Sequence, residues 1–492
     1  MLEQEFRSLL LKIQERKCEE QTLEVKSAHV GCPERLYDTF SAFSNQNEGG
    51  TIVFGLDERQ DFAKVGVYDA QDLQKKLMEV GESMTPVVRP VLSVYQEGGK
   101  LFVAAEIPPL DLTERPCFKA AKGRLKGSYI RVGDADKPMN EYEVYSYEAY
   151  RKRTRDDLRP IEGIPDASLD HLKLEQYLLK RKQDRPNLSA VSPDQLYELT
   201  GLKKEGRFTL TAVLLFSLYP QSYFPQLSII AARVPGTEMG EVDQEGQRFS
   251  DSKRIEGSLL EMLEGAVSFL RSNMRMSVRI DGKTGKRQDI PEYPMDALRE
   301  AVLNAIVHRD YSIHTENMPI QLTMFYDRVE IHSPGGLYGR LTIDQLGKVQ
   351  PDTRNPALIT AMEALGMTEN RYSGIPRIRH AMAEAGLPEP VFQDTRGEFS
   401  VCFYNRESMQ AKAAPVAAPV IRKEKALDDR GLLEFCQIPR TRREIADFLG
   451  IVSTQYAVKR YLEPLINAGA ITLSIPDRPR SPKQTYQTNP HA

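Results

Sequence analysis

With 492 residues, 40% apolar and 27% charged side chains and a net charge of −3, the chain can build about three domains with ample core material. That charge excludes a generally basic polyanion binder, so any nucleic-acid contact has to be local. The longest apolar runs, such as Ala212 to Phe216, are far too short for a bilayer, and MLEQEFRSLLLKIQERK has no secretory core, which places the protein in the cytoplasm with no membrane partner. The five cysteines are odd in number and scattered, with no CxxC, a pattern that argues against a disulfide framework and a zinc site.

The pattern from 1 to about 155 is α+β. Leu36 to Ser44 reads as a helix feeding the turn Asn45 to Gly50, and Thr51 to Asp57 and Leu101 to Ile107 read as strands. Glu24 and Lys26, two apart on a strand, point to one face, and Asp57 closes the neighbouring strand. Two prolines and a glycine in Asp156 to Pro165 mark a soft boundary. Beyond it, Gly257 to Arg271 has the apolar period of an amphipathic helix.

The segment from Pro294 to Tyr311 is a second helix, on which Glu300, Asn304 and His308 recur every four residues. Each step of four drifts only about 40°, so the three side chains share one side, next to an apolar face. A carboxylate, a carboxamide and an imidazole in file suggest a half-buried polar site. Ile320 to Ile331 reads as strand, turn, strand. Val329 to Leu337 runs a strand into Pro334, Gly335 and Gly336, and Gly374 stands just ahead of a helix over Arg377 to Ala385. Glycines let backbone N–H groups approach phosphate closely, and a helix amino terminus adds favourable partial charge, a combination suited to a nucleotide.

The Ala- and Pro-rich stretch Met409 to Lys425 reads as a tether. After it, Thr441 to Leu449 has a capping-box start, Ser453 heads a second helix interrupted by Pro464, and two short strands flank the basic DRPRSPK. This is the pattern of a winged helix. From Gln437 to Ala492 there are eight Lys or Arg against four Asp or Glu. Gln455, Lys459 and Arg460 are the groove candidates, with Arg478, Arg480 and Lys483 in the wing.

Two resemblances sharpen this reading. EEQTLEVKS, then SNQNEGGTIVFGLDE and SYIRVGDADKPM, resemble the Schlafen/AlbA-type domain. That family implies either a DNA-binding module or a metal-dependent RNA nuclease built on carboxylates. Glu19, Glu24 and Asp57 match the latter, with Lys26 in support; an ion pair between Glu24 and Lys26 is the structural alternative. REAVLNAIVHRDYS, DRVEIHSPGGL, TRNPALITAMEALGMTE and SGIPRIRHAM resemble, in order and spacing, a divergent GHKL (Bergerat-type) ATP-binding domain. That resemblance implies Glu300 as the catalytic residue that orients water, Asn304 as the residue holding Mg²⁺ against the phosphates, and Gly335, Gly336 and Gly374 as the nucleotide-binding glycines. Where such domains carry DxGxG, this chain has Ser333-Pro334-Gly335-Gly336, which favours nucleotide sensing over turnover.

The expected architecture is α+β and multidomain. It comprises a Schlafen/AlbA-like domain over 1–155, a linker region with a GHKL-like α/β sandwich over 156–407, a flexible linker over 408–425 and a winged helix over 426–492. The whole resembles bacterial ATP-binding transcriptional regulators, with DNA as the expected partner, RNA as an alternative, and a symmetric dimer. Two rivals stand beside it: a divalent-metal-dependent nuclease of Schlafen type acting in nucleic-acid metabolism or anti-phage defence, and a non-hydrolysing interaction scaffold.

Overall fold

A computed structural model of the chain describes residues 1–408 apart from 244, 281–286, 369–372 and 396, and residues 432–489 apart from 434, 443, 446–457, 463–464, 467 and 475–483. Met1–Met409 form one compact unit and Gln410–Ala492 a second.

The first unit begins with helix α1 (Glu3–Arg16), strand β1 (Leu23–Lys26), helix α2 (Leu36–Asn45), strand β2 (Gly50–Phe54), helix α3 (Ala70–Glu82) and the hairpin of β3 (Val91–Glu97) and β4 (Lys100–Ile107). The strands form one sheet in the order β1-β2-β4-β3, with β1 parallel to β2 and the remaining pairs antiparallel. Alternation along β2 and β4 supplies a core on each side. Ile52, Phe54, Val103 and Ala105 pack with Phe40 and Phe43 of α2 and with Leu73 and Leu77 of α3. Val53, Phe102 and Ala104 face Phe6, Leu10 and Ile13 of α1, with Phe6 stacked on Tyr95 at 3.9 Å between ring centres. A second hairpin, β5 (Tyr129–Val132) and β6 (Ala135–Pro138), lies against α2.

Helix α4 (Glu141–Lys152) starts at a capping box made by Asn140 and Glu143. Its tyrosines reach in several directions. Tyr147 donates to the Asn45 carbonyl at the end of α2, at 3.3 Å. Tyr142 donates to Asp310 at 2.7 Å and Tyr150 to Asp352 at 2.9 Å.

The larger sheet uses β7 (Ile229–Arg233), β8 (Asp251–Ile255), β9 (Ile320–Met324), β10 (Arg328–Pro334), β11 (Val391–Thr395) and β12 (Glu398–Tyr404), in the order β8-β7-β9-β10-β12-β11. Only β7 and β9 run parallel. Along β10, Val329 and Ile331 are buried while Arg328, Glu330 and His332 are not, as expected for a sheet covered on one side. The covering layer contains α5 (Leu259–Asn273), α6 (Met295–His308), α7 (Pro356–Ala364) and α8 (Gly374–Glu384), all contributing to one apolar core. Helix α8 begins at Gly374, three residues ahead of the helix expected at Arg377.

In the second unit, Arg440–Thr441, Thr485–Thr488 and Ile471–Leu473 form a three-stranded antiparallel sheet in that order. Leu432, Cys436, Ile445, Leu462, Leu465, Ile471 and Tyr486 make its core. The capping box is present: the Thr441 amide donates to Glu444 at 2.8 Å and the Glu444 amide to the Thr441 hydroxyl at 3.3 Å. Val458–Leu462 is a π-helical turn, directly ahead of the segment containing Pro464, which lies outside the described residues.

Candidate functional site

Three stretches far apart in sequence line one partly open cavity of about 220 Å³: Glu300, Asn304 and His308 from α6, Gly335 and Gly336 after β10, and Gly374 at the start of α8. Helix α6 is held from behind by Leu298, Val302 and Ile306, all at most 1% exposed, which fixes the rotation that turns Glu300 and Asn304 toward the cavity. The chain passes Gly335 at φ +98°, and a Cβ there would lie 2.5 Å from both the Arg354 guanidinium and the Asp310 Cβ. Both conformation and space therefore demand glycine. At Gly374 the constraint is softer: a Cβ would lie 2.4 Å from a Glu300 carboxylate oxygen and 3.2 Å from the Asn304 amide nitrogen, the movable ends of two side chains that line the cavity.

Ser333, which stands where the aspartate-bearing glycine box would begin, is 4% exposed and donates its hydroxyl to the Ala305 carbonyl at 2.9 Å. It ties β10 to α6. His308 lines the cavity with a solvent-exposed side chain, and the protein packed around its ring, followed by the nearby Arg354, lowers its imidazole below the ordinary value.

A buried charge network closes the wall behind the glycines. Arg354 pairs with Asp310 at 2.6 Å and donates to the Gly336 carbonyl at 3.2 Å, with both charged side chains at most 7% exposed. Its guanidinium carbon sits 5.1 Å from the Tyr338 ring centre. Among the described residues the Nε of Arg354 has no hydrogen-bond partner, although Arg354 lines the cavity. Burial alone would raise the Asp310 carboxyl, but Arg354 and the Tyr142 hydroxyl hold it below the usual carboxylate range. The path Tyr142, Asp310, Arg354, Gly336 thus joins α4 to the cavity wall.

The amino-terminal candidates are arranged differently. Glu24 is 5% exposed and contacts Lys26 on the same strand. It also pairs at 2.6 Å with Arg131 of β5, whose side chain is fully buried and lies 3.1 Å from Asp136 and 3.8 Å from Glu19. Arg131 further donates to the carbonyls of Leu23 at 3.0 Å and Glu20 at 3.3 Å. Burial, followed by the nearby Glu24, raises the Glu19 carboxyl to about 7 even though it accepts the Val25 amide. Asp57 is engaged elsewhere, accepting from the Arg59 amide and the Gln60 side chain. A guanidinium therefore lies against Glu24 and near Glu19, two of the three carboxylates that the sequence suggested for a metal, and the third, Asp57, is not part of the cluster. Among the described residues no group of three His, Cys, Asp or Glu could hold a metal ion.

Of the basic candidates in the second unit, Gln455, Arg478, Arg480 and Lys483 lie outside the described residues, as do the side chains of Lys459 and Arg460. Sequence reasoning missed Arg131, Asp136, Asp310, Arg354 and Tyr142. Their residue types are ordinary; the available signal was four tyrosines in the ten residues of EYEVYSYEAY, too many for a solvated helix.

Comparison with known proteins assigns family likeness to three segments. Residues 19–140 match the family described as "Schlafen, AlbA_2", and residues 317–403 match HATPase_c_4, described as "Putative ATP-dependent DNA helicase recG C-terminal". The second segment includes Gly335, Gly336, Arg354 and Gly374 but begins after α6. Residues 430–488 match "Filamentation induced by cAMP protein Fic-like, C-terminal domain". No curated protein matches the chain. Among solved structures, the DIP2311 protein from Corynebacterium diphtheriae is 18% identical, with 95% of this chain and 92% of that chain covered and a TM-score of 0.38. The N-terminal domain of a "Putative ATP-dependent DNA Helicase RecG-related Protein" from Nitrosomonas europaea is 26% identical over 26% of this chain and 90% of that chain, with a TM-score of 0.22.

The chain is thus a mixed α/β multidomain protein with a Schlafen/AlbA_2 segment and an ATPase-like segment. Among the described residues no helix is long and apolar enough to cross a membrane.

Proposed function

We propose that the protein is a nucleic-acid-binding regulator, acting on DNA, whose central cavity binds ATP or a related nucleotide and thereby sets the state of the nucleic-acid-binding parts. The observation that carries this reading is the convergence of Glu300, Asn304, Gly335, Gly336 and Gly374 on one cavity, beside buried Arg354, whose Nε has no hydrogen-bond partner among the described residues. A helix amino terminus at Gly374, a glycine-lined approach and a cation suit phosphate oxygens.

The donor set also fits a nucleotide-borne Mg²⁺. Asn304 would face the ion through the phosphates, and the ion would supply neutralisation of phosphate charge. Glu300 would orient water in a hydrolysing relative. With Ser333 committed to Ala305 rather than to a base, the cavity is better suited to sensing than to turnover. The nuclease reading is disfavoured by Arg131, which already neutralises Glu24 and Asp136. The path from Tyr142 through Asp310 to Arg354 links the cavity wall to helix α4, whose Tyr147 bonds to the end of α2.

The test is equilibrium binding of a fluorescent ATP analogue with and without Mg²⁺. Saturable, Mg²⁺-strengthened binding that falls at least tenfold in Asn304→Ala is expected. Negligible affinity in both proteins would leave the cavity as part of a scaffold and remove the nucleotide from the proposal.

A further inference from the structure

From Arg115 to Gly133 the chain carries six Lys or Arg and no Asp or Glu, in a protein whose net charge is −3. Three of the six are committed. Arg115 bonds to Leu110, Asn47 and Gln46, Arg124 pairs with Glu148 at 2.5 Å, and Arg131 is buried among carboxylates. Lys119, Lys122 and Lys126 remain, and none of them is paired with a carboxylate among the described residues.

The fold gathers two of these at one point. The ammonium groups of Lys119 and Lys122 each lie 4.4 Å from the centre of the Tyr37 ring, and Lys122 also contacts the Tyr37 hydroxyl. Arg35, two residues before Tyr37, has a side chain 69% exposed and a single carboxylate partner, Asp38, at 3.3 Å. Arg35 is also the residue from which α2 departs; its own side chain does not cap that end, and the first-turn Asp38 carboxylate accepts the Thr39 amide there. Three cations and a phenol therefore meet on one surface beside the start of a ten-residue helix. Like charges so gathered repel one another, and the arrangement is relieved by an anion that bridges them. A side-chain carboxylate on a partner protein satisfies one such group. A run of phosphodiesters satisfies all of them and the helix terminus together.

We infer that the surface formed by Arg35, Lys119 and Lys122 around Tyr37 is the phosphodiester-binding face of the amino-terminal domain, contacting the nucleic-acid backbone rather than base edges. This rests on the proposed association with nucleic acid and names where the contact is made. Backbone contact implies little sequence preference and a steep dependence on salt, with log affinity changing by about 0.9 per neutralised phosphate against log salt on duplex DNA and about 0.7 on single strands.

The full-length protein is titrated against fluorescent duplex DNA, single-stranded DNA and tRNA at several salt concentrations, alongside Arg35→Glu/Lys119→Glu/Lys122→Glu and the charge-keeping Lys119→Arg/Lys122→Arg. Lysine-reactivity footprinting of the wild type with and without nucleic acid gives a readout independent of mutant folding. The expected result is at least tenfold weaker binding by the reversal variant, a salt slope shallower by about 2 to 3, near-wild-type binding by the arginine variant, and protection of Lys119 and Lys122. The arm with the tightest wild-type binding identifies the source of the phosphodiesters. Wild-type binding with unchanged affinity and slope in the reversal variant, and no protection, overturns the inference alone. No binding by the wild type in any arm at low salt overturns both it and the nucleic-acid reading.

Discussion

Replacing Arg131 by alanine removes the cation from the centre of Glu24, Asp136 and Glu19 and leaves a 7%-exposed Glu24 side chain with only Lys26 beside it. It also deletes donors to the Leu23 and Glu20 carbonyls that pin β5 to β1. Breaking a buried ion pair from one side typically costs about 3–5 kcal/mol, and the surviving Lys26 contact argues for the lower end. The effect is local, so hydrogen exchange of the Leu23–Lys26 and Tyr129–Val132 amides is the fitting assay in a multidomain chain. A loss of about 3 kcal/mol accelerates exchange on the order of 100-fold. The effect depends on pH. Glu19, raised from its ordinary value to about 7, opposes folding increasingly as pH rises from about 4.5 to 7, because the folded state prefers it protonated. Without Arg131 that opposition grows, so after correction for intrinsic exchange the variant's deficit is larger at pH 8 than at pH 5. A change below about 1 kcal/mol, or no dependence on pH, would refute the view of Arg131 as the keystone of this cluster.

Further outcomes are expected. Gly374→Ala, at ordinary φ but with its Cβ 2.4 Å from Glu300, should weaken nucleotide binding at least tenfold while shifting the melting temperature little; undiminished affinity counts against the cavity as the site. Arg354→Met strands Asp310 and should destabilise the first unit by about 3–5 kcal/mol, seen as faster exchange in α7, with Tyr142→Phe costing about 1.5–3 kcal/mol through one bond to a carboxylate. His332, held between Glu398 at 2.8 Å and Glu330 at 3.3 Å, is raised to about 9. Its contribution is fully present below about 6.5 and lost as pH rises through 9, so His332→Gln should destabilise at pH 6 and be near neutral at pH 10 in thermal melts. Tyr147→Phe, which removes a 3.3 Å bond to the Asn45 carbonyl, should loosen the end of α2 by about 1 kcal/mol, measurable by exchange there.

What the sequence disclosed follows from periodicity and spacing. Helix α6 was legible because Leu298, Ala301, Val302 and Ile306 recur at helical spacing, and the four-residue step of Glu300 and Asn304 put both on one wall of the cavity. Local motifs such as the Thr441 and Glu444 capping box were legible for the same reason. Long-range pairing was not. Arg131 meets Glu24 across more than a hundred residues, and Arg354 meets Asp310 only after the chain has returned past the glycines. Nothing in one-dimensional spacing distinguishes a surface arginine from one that is buried and paired. Asp57 shows the converse: it ends a strand as expected, yet turns to cap the next turn instead of joining Glu24. Lys119 and Lys122 gain meaning only once the fold sets both against Tyr37.

The measurement that bears most directly on nucleotide-controlled nucleic-acid binding is the affinity of the full-length protein for duplex DNA with and without a saturating, non-hydrolysable ATP analogue and Mg²⁺. The account predicts a change of about fivefold or more that disappears in Asn304→Ala. By linkage, DNA should alter the affinity for the analogue by the same factor. Identical DNA affinity with and without the analogue, in a protein shown to bind both ligands, would contradict it.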